Sequence, residues 1–408
     1  MTATQYDIVI FGATSFVGKI LTGYMAQQYG VSSNLKWAIA GRSIDKLTTV
    51  ADTCKATGID IIVADAQNES QLTAMVKQTR VLVSTVGPYA LYGEPLIKVC
   101  VQNGIDYCDL TGEVQWYKRM VDKYEIQAKQ SGARIVHCSG FDSLPSDLGV
   151  WFTQNKAQQS LGGVCSQIKM RVAKLKGGAS GGTVASMVNI AKEASKDPAL
   201  RKELQNPYSI CSAQHGFSTR QKNISGAVFD QEFNAWSGPF VMAAVNTRVV
   251  HRSNALLNNA YGDNFKYDEG MLMGRGDKGR KRARNMGWGL AVFVVLAAIK
   301  PSRWILERFI LPKPGQGPTP KEQLEGMFDM RFVGTTEDGK TIKTKVTGDR
   351  DPGYGSTAKM LGQAAVCLAN INKEDKVGGF WTPASIYGDD LISRLIEHSG
   401  ITFEVMNE

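Results

Sequence analysis

The opening of the chain restricts its fold more than any other stretch. Tyr6 to Phe11 is a short apolar run rich in β-branched residues, and it passes through Gly12-Ala13-Thr14-Ser15-Phe16-Val17-Gly18 into a helical pattern lasting to Met25. A strand, a glycine turn and a helix in that order predict the first unit of a doubly wound parallel sheet. In such a unit the turn wraps a dinucleotide pyrophosphate at the positive end of the helix. Gly12 is expected to supply the tight turn and Gly18 the close approach of helix to strand. The backbone N–H groups from Ala13 to Phe16 are expected to face the phosphates. Ser15 stands where the middle glycine of such turns usually sits, and adds a hydroxyl donor.

The next strands extend the pattern. Leu35 to Ala40 ends in Gly41-Arg42-Ser43, where an NAD-specific chain would place an acidic residue on the ribose hydroxyls. A guanidinium there pairs in bidentate fashion with a 2′-phosphate, and Ser43 adds a hydroxyl. The charge logic therefore selects NADP(H) over NAD, the alternative being a solvated arginine at a strand end. Ile59 to Ala64 is a third strand, with Asp65 either near the adenine or capping the next helix. Val81 to Val86 is the fourth, and its continuation Gly87-Pro88-Tyr89 brings Thr85, Val86, Gly87 and Pro88 to the nicotinamide half of the crevice. Tyr107 to Leu110, a helix through Ala128 and a strand from Arg134 to Cys138 complete the alternation. The polar cluster that follows, Ser139 to Asp147, lies at the same sheet edge and is the main candidate for substrate contact. Cap and turn roles for Asp142, Ser143 and Asp147 stand as the alternative. A hydride acceptor develops negative charge, so a donor must stand nearby; Tyr89, Tyr92, Ser139 and Asp142 are the local candidates.

At 408 residues the chain exceeds what one core usually supports. Beyond Leu148 the pattern becomes mixed, with strands expected at Ser166 to Ala173 and Thr247 to His251. The glycine-rich Lys176 to Thr183 lacks the Gly-Lys-Ser/Thr ending of a nucleotide P-loop and reads as a loop bordering the substrate. Met327 to Val333 and Thr341 to Thr347 form a hairpin through Asp338-Gly339, and a long helix follows from Ser356 to Asn370. The expected class is α/β: a Rossmann doubly wound parallel sheet over 1–148, then a second α+β domain over 149–274 and 318–408 that serves substrate and dimer contacts. The helix 356–370 packs back on the first domain in one version of this plan. A basic-hydrophobic insertion occupies 275–317.

That insertion holds much of the formal +9 charge, in Arg275, Lys278, Arg280, Lys281, Arg282 and Arg284. With no aromatic-interleaved stripe or zinc-finger spacing beside the run, nucleic acid is not expected as a partner. Gly287 to Ile299 carries no charge, yet is shorter than the roughly 20 apolar residues that span a bilayer. With the amphipathic Arg303 to Leu311 it reads as a peripheral membrane contact over 287–311, or else as a buried or dimer-interface helix. Pro312 to Pro320 is a linker by composition. Seven dispersed cysteines without a CxxC pair argue for reduced thiols and against a metal centre. The early start of the first strand leaves no room for a leader, so a cytoplasmic location is expected, peripheral at the inner face of a membrane if the insertion binds lipid.

GATSFVG, the AGRS after the second strand, VSTVGPYALYGEPLIKVCVQNGIDYCDLTGE, HCSGFDSLPSDLG, PGQGPTPKEQLEGMF, GDRDPGYGSTAKMLGQAAVCLA and GGFWTPASIYGDDLISRL together resemble the saccharopine dehydrogenase-like oxidoreductases, specifically the branch with trans-acting enoyl reductases. The resemblance implies an NADP-binding first domain and places cofactor contacts at Gly12, Ser15, Gly18, Arg42 and the Val86-Gly87-Pro88 turn. It also implies a second α/β domain for substrate and subunit contacts. No saccharopine-binding set of basic residues is matched in the second half. The reading that results is an NADPH-dependent reductase of an enoyl or carbonyl group on an acyl or lipid-type substrate near a membrane. A non-catalytic cofactor-binding scaffold on lipid and a soluble saccharopine-type amino-acid dehydrogenase are the alternatives.

Overall fold

The computed structural model describes residues 4–32, 34–177, 181–311 and 317–407. Elements run in chain order as β1 (Tyr6–Phe11), α1 (Phe16–Tyr29), β2 (Trp37–Gly41), α2 (Ile44–Thr53), β3 (Asp60–Val63), α3 (Glu69–Val76) and β4 (Thr79–Ser84). Then come α4 (Tyr89–Tyr92), α5 (Glu94–Asn103), β5 (Asp106–Asp109), α6 (Val114–Ser131), β6 (Arg134–Val136), α7 (Leu144–Leu161) and β7 (Cys165–Lys176). The middle holds α8 (Gly181–Lys196), α9 (Pro198–Gln205), β8 (Val228–Asp230), β9 (Ala235–Gly238), α10 (Ala243–Leu256), β10 (Lys266–Gly274), α11 (Gly276–Ala298) and α12 (Lys300–Ile305). The chain ends with α13 (Pro320–Glu325), β11 (Met327–Thr336), β12 (Thr341–Gly348), α14 (Thr357–Asn370), β13 (Gly379–Trp381), α15 (Pro383–Ser399) and β14 (Ile401–Val405).

The contacts divide into two units: chiefly residues 1–144 with 353–399, and 145–313 with 318–352 and 400–408. The first unit holds a sheet in the order β13-β6-β5-β4-β1-β2-β3, parallel throughout. Removing β13 leaves the doubly wound order whose switch point lies between β1 and β4, so ligands belong at the carboxyl ends of those strands. Strands covered on both faces must be apolar along their length; all five residues of β2 are buried, as are five of the six in β1. Helix α14 is buried on nearly every side, and Gly362 permits this: a Cβ there would stand 3.1 Å from Leu21 and Tyr24 of α1. Its buried amide side chain, Gln363, bonds the Tyr24 and Tyr29 hydroxyls. The sequence plan assigned all of 318–408 to the second domain, whereas 353–399 belongs to the first unit and carries its seventh strand.

The second unit is built on a mixed sheet, β14-β12-β11-β7-β10-β9-β8, in which β7 and β10 are parallel and the other pairs antiparallel. The expected hairpin is β11–β12, closed at Gly339 with φ +83°. Buried Arg171 of β7 bridges Asp230 and Asp268 at 2.5 and 2.6 Å, so its charge is paired within the sheet. The strand expected over Thr247 to His251 is wrong: these residues belong to helix α10. A helix buried from Arg248 through Asn254 shows no polar face, so its β-branched run imitates a core strand. Gly178 to Ser180 of the glycine-rich stretch and Pro312 to Gln316 of the linker lie outside the described residues.

Candidate active site

The glycine turn is shaped by contacts that only glycine allows. Gly12 has φ +88°, and a Cβ on it would stand 2.6 Å from Val86 Cγ2 and 2.8 Å from Thr85 Oγ1. A Cβ on Gly18 would stand 2.3 Å from the Gly12 carbonyl, so α1 starts hard against the turn it serves. Ser15 caps α1 by accepting from the Gly18 N–H at 2.9 Å, and its Oγ lies 2.9 Å from Thr85 Oγ1. Thr85 in turn donates to the Gly12 carbonyl at 2.9 Å, tying the turn to the end of β4.

One expectation about this turn needs correcting. The Ala13 N–H donates to Ala40 O at 3.2 Å and the Ser15 N–H to Gly12 O at 2.8 Å, so neither is available to a phosphate. Among the described residues, the N–H groups of Thr14, Phe16 and Val17 have no acceptor in the chain; these are the donors aimed outward at the start of α1. The donor set and the glycine cradle therefore fit a dinucleotide pyrophosphate. Arg42 is exposed at the end of β2 and forms no ion pair among the described residues. Ser43 caps α2, accepting from Lys46 N–H at 3.4 Å while keeping its own proton to donate. Asp65 accepts from the Gln67 N–H at 2.9 Å, which is the loop-capping role.

At the ends of β4, β5 and β6 the structure gathers groups that the sequence alone did not single out. The buried Glu113 carboxylate accepts from the N–H groups of Tyr89 and Ala90, at 2.8 and 3.1 Å, and so fixes the turn that contains the cis Gly87–Pro88 bond. Buried Asp109 binds His137 Nδ1 at 2.7 Å and accepts from the Tyr107 hydroxyl and the N–H groups of Thr111 and Cys138. Cys138 takes a left-handed backbone with φ +60°, unusual for a residue with a side chain and typical of strain held at a ligand-facing turn. The other ring nitrogen of His137 is buried with no partner among the described residues. The only hint in the sequence was position: Asp109 and His137 each close or follow a strand of the parallel sheet.

The four candidate proton donors separate clearly. Tyr89 is buried, and its hydroxyl donates to Ser84 O at 2.9 Å; burial, then the charge of Asp109, holds the phenol well above its ordinary range. Tyr92 is exposed on α4. Ser139 is buried, and its hydroxyl has no hydrogen-bond partner among the described residues. Burial holds the Tyr387 phenol well above its ordinary range, and its hydroxyl too has no hydrogen-bond partner among the described residues. Asp142 is partly exposed as a residue, yet desolvation pushes its carboxyl from 3.8 up to about 7. Of the four, Asp142 is the one whose carboxyl burial pushes toward neutral pH. Among the described residues no cluster of His, Cys, Asp and Glu could hold a metal ion, and none of the seven cysteines forms a disulfide.

Comparison with known proteins agrees with this geometry. The family profile of the saccharopine dehydrogenase NADP binding domain matches residues 8–136, which span β1 to β6. A Mycobacterium tuberculosis (H37Rv) protein provisionally assigned as a trans-acting enoyl reductase is 38% identical over 97% of both chains. The trans-acting enoyl reductase of Mycobacterium ulcerans is 34% identical over 96% of both. Among solved structures, the apo saccharopine dehydrogenase (L-Glu forming) of Saccharomyces cerevisiae superposes with a TM-score of 0.53 at 12% identity, covering 98% of this chain and 100% of that one. At that identity the likeness concerns the fold.

Proposed function

Because the chain belongs to the saccharopine dehydrogenase-like family, in the branch of the trans-acting enoyl reductases, and is an NADP-dependent oxidoreductase, we propose that it reduces an activated carbon–carbon double bond, or the equivalent carbonyl, of an acyl or lipid-type substrate. The observation that carries this reading is the likeness over nearly the whole chain to trans-acting enoyl reductases, with the Asp142 carboxyl, pushed up to about 7 by desolvation, as the candidate proton donor. When bound, NADPH supplies the hydride. Reduction leaves negative charge on the far carbon or the oxygen, and a proton must meet it. A carboxyl that titrates near neutrality is protonated often enough to act and acidic enough to give the proton up. Ser139 offers a hydroxyl for the developing charge, while Glu113 and Tyr89 hold the turn in place. The phosphates fall to the N–H groups of Thr14, Phe16 and Val17, and the 2′-phosphate to Arg42.

The test is NADPH oxidation against a panel of enoyl thioesters, lipid carbonyls and amino-acid-derived imines. Turnover with an enoyl or lipid carbonyl supports the proposal. Turnover confined to the imines makes the chain an amino-acid dehydrogenase, and tight NADPH binding with no turnover across the panel makes it a scaffold. Either result overturns the proposal.

The proposal extends to location: a peripheral enzyme at the cytoplasmic face of a membrane, held through residues 287–311. Among the described residues no single helix is long and apolar enough to cross a membrane, and α11 with the stretch Lys300–Phe309 forms a pair bent by 102°. On α11, Phe293 and Ala297 pack against Val188 and Ala191 of α8. Trp288, Val292, Val295 and Ile299 form the opposite stripe and are 51–69% exposed, with Trp304 and Phe309 beyond the bend at 60% and 70%. That exposure supports a surface contact rather than a buried core helix for this segment. Such a stripe one turn beyond a basic run matches an anionic lipid surface. In flotation with vesicles containing phosphatidylserine, the chain should float and a Trp288→Ser/Val292→Ser/Val295→Ser variant should stay below. Failure to float, with a dimer that the same variant breaks, would assign the stripe to a second copy.

A further inference from the structure

A group of buried cationic and polar side chains in the second unit has no role in the reaction proposed above. Helix α10 carries Arg248, His251 and Arg252 on one face, three and four residues apart, and each is more than nine-tenths buried. The loop after α9 covers that face. Tyr208 lays its ring 5.0 Å from that of His251 and 5.3 Å from that of His215, and Ser209 beside it is 6% exposed. Arg248 gives its two terminal nitrogens to the carbonyls of Ala244 and Leu204, and Arg252 gives one to Ile210 O. For Arg248 these carbonyls solvate the guanidinium without neutralising it. Burial lowers the Arg248 pKa to about 10 although Glu203 counteracts it, and burial, with help from Arg248 and His215, lowers that of His251 to about 3. On Arg248, His251 and Ser209, one polar atom each is left without a partner among the described residues: Arg248 Nε, His251 Nε2 and Ser209 Oγ.

Buried donors without acceptors are costly, and a buried positive charge more so. The contrast with Arg171, which answers the same burial with two aspartates, shows what a purely structural arginine in this unit looks like. We propose that Arg248, His251 and Ser209 form a binding site for an oxyanion, the phosphate or carboxylate group of a ligand. Guanidinium N–H and hydroxyl O–H donate to such a group, and His251 joins them when it presents an N–H at Nε2.

The experiment uses the full chain with saturating NADP, so that the phosphate positions of the first unit are already filled. Histidine side chains are labelled with carbon-13, and inorganic phosphate or acetate is titrated in at constant ionic strength set with chloride. The protein has four histidines, His137, His215, His251 and His398. The expected result is saturable movement of the His251 and His215 signals, with those of His137 and His398 fixed, and a rise in thermal midpoint that follows the same curve. Phosphate acting alone, or acetate alone, tells which oxyanion class the site takes. Ser209→Ala should weaken binding about tenfold, the loss of one hydrogen bond to a charged group, while leaving NADPH affinity unchanged. Arg248→Met should abolish binding; if that variant does not fold, Ser209→Ala decides. Histidine signals that stay fixed, or that move equally in Ser209→Ala, overturn the proposal and leave the arginines as clamps between α10 and the loop after α9.

Discussion

Replacing Asp142 with asparagine should move activity and stability in opposite directions. The carboxyl is raised from 3.8 to about 7 by desolvation alone, so its ionised form is poorly tolerated in the folded chain. At about 1.36 kcal/mol per unit, this difference corresponds to roughly 4 kcal/mol as a ceiling, and about half that once partial exposure and relaxation are allowed for. The sign follows from proton linkage. The folded state holds this proton more tightly than the unfolded state, so the contribution is complete below the ordinary value of 3.8, falls as pH rises, and is exhausted above about 7. The asparagine side chain cannot ionise. Urea unfolding should therefore show the variant and the parent diverging from pH 5 to pH 8, with the variant more stable by about 2 kcal/mol or more at the upper end. In the same samples the reductase rate should fall by about 100- to 10,000-fold, the usual loss for a positioned acid, and the parent's decline in rate above pH 7 should disappear. Buried Glu269, also raised to about 7, titrates in both proteins and cancels in the comparison. Stability curves that stay parallel from pH 5 to pH 8 would show an ordinary carboxyl and remove the basis for its proton-donating role.

Three other perturbations probe the cofactor turn. Arg42→Ala should raise the NADPH dissociation constant by about 10- to 100-fold, measured by nucleotide fluorescence, and leave NADH nearly unchanged; equal losses for both would refute the 2′-phosphate role. Gly18→Ala drives a Cβ to 2.3 Å from the Gly12 carbonyl, so it should cost about 1–3 kcal/mol in unfolding and weaken NADP and NAD alike. Glu113→Ala strips the acceptors from two N–H groups on the Tyr89 turn and should destabilise the chain by about 2–5 kcal/mol, with Glu113→Gln recovering part of that loss in the same denaturant titration.

The parts of the site that were legible in the sequence are those whose chemistry is local. A glycine at φ +88° between a strand and a helix, and a serine that caps that helix by accepting from a backbone N–H three residues on, are features of local backbone. Their types and spacing therefore carry the message. Fold class was legible for the same reason: apolar runs of strand length alternating with helices permit little besides a parallel sheet. Helix α10 was misread because the cue that separates a helix from a strand is an exposed polar face, and α10 lacks one. The seventh strand, β13, is three residues long and pairs with β6 across more than two hundred positions of chain, a partnership with no local signature.

The catalytic end of the site was less legible because it depends on burial, which is a property of the folded chain. Tyr89 and Asp142 looked equivalent as donors in sequence, each polar and each just beyond a strand. The structure separates them by what surrounds each group: Tyr89 has a carbonyl to bond and so becomes part of the framework, whereas the Asp142 carboxyl is desolvated with no cation to hold it ionised. Asp109 and Glu113 are carboxylates buried more deeply still, but each accepts two or more hydrogen bonds, which compensate the oxygens for the water they lose. Three acids within about one strand end of one another thus divide their work by bonding alone. Two serve as fixed acceptors that shape the turns, and the third, Asp142, accepts no hydrogen bond among the described residues, which is the basis for proposing it as the proton donor.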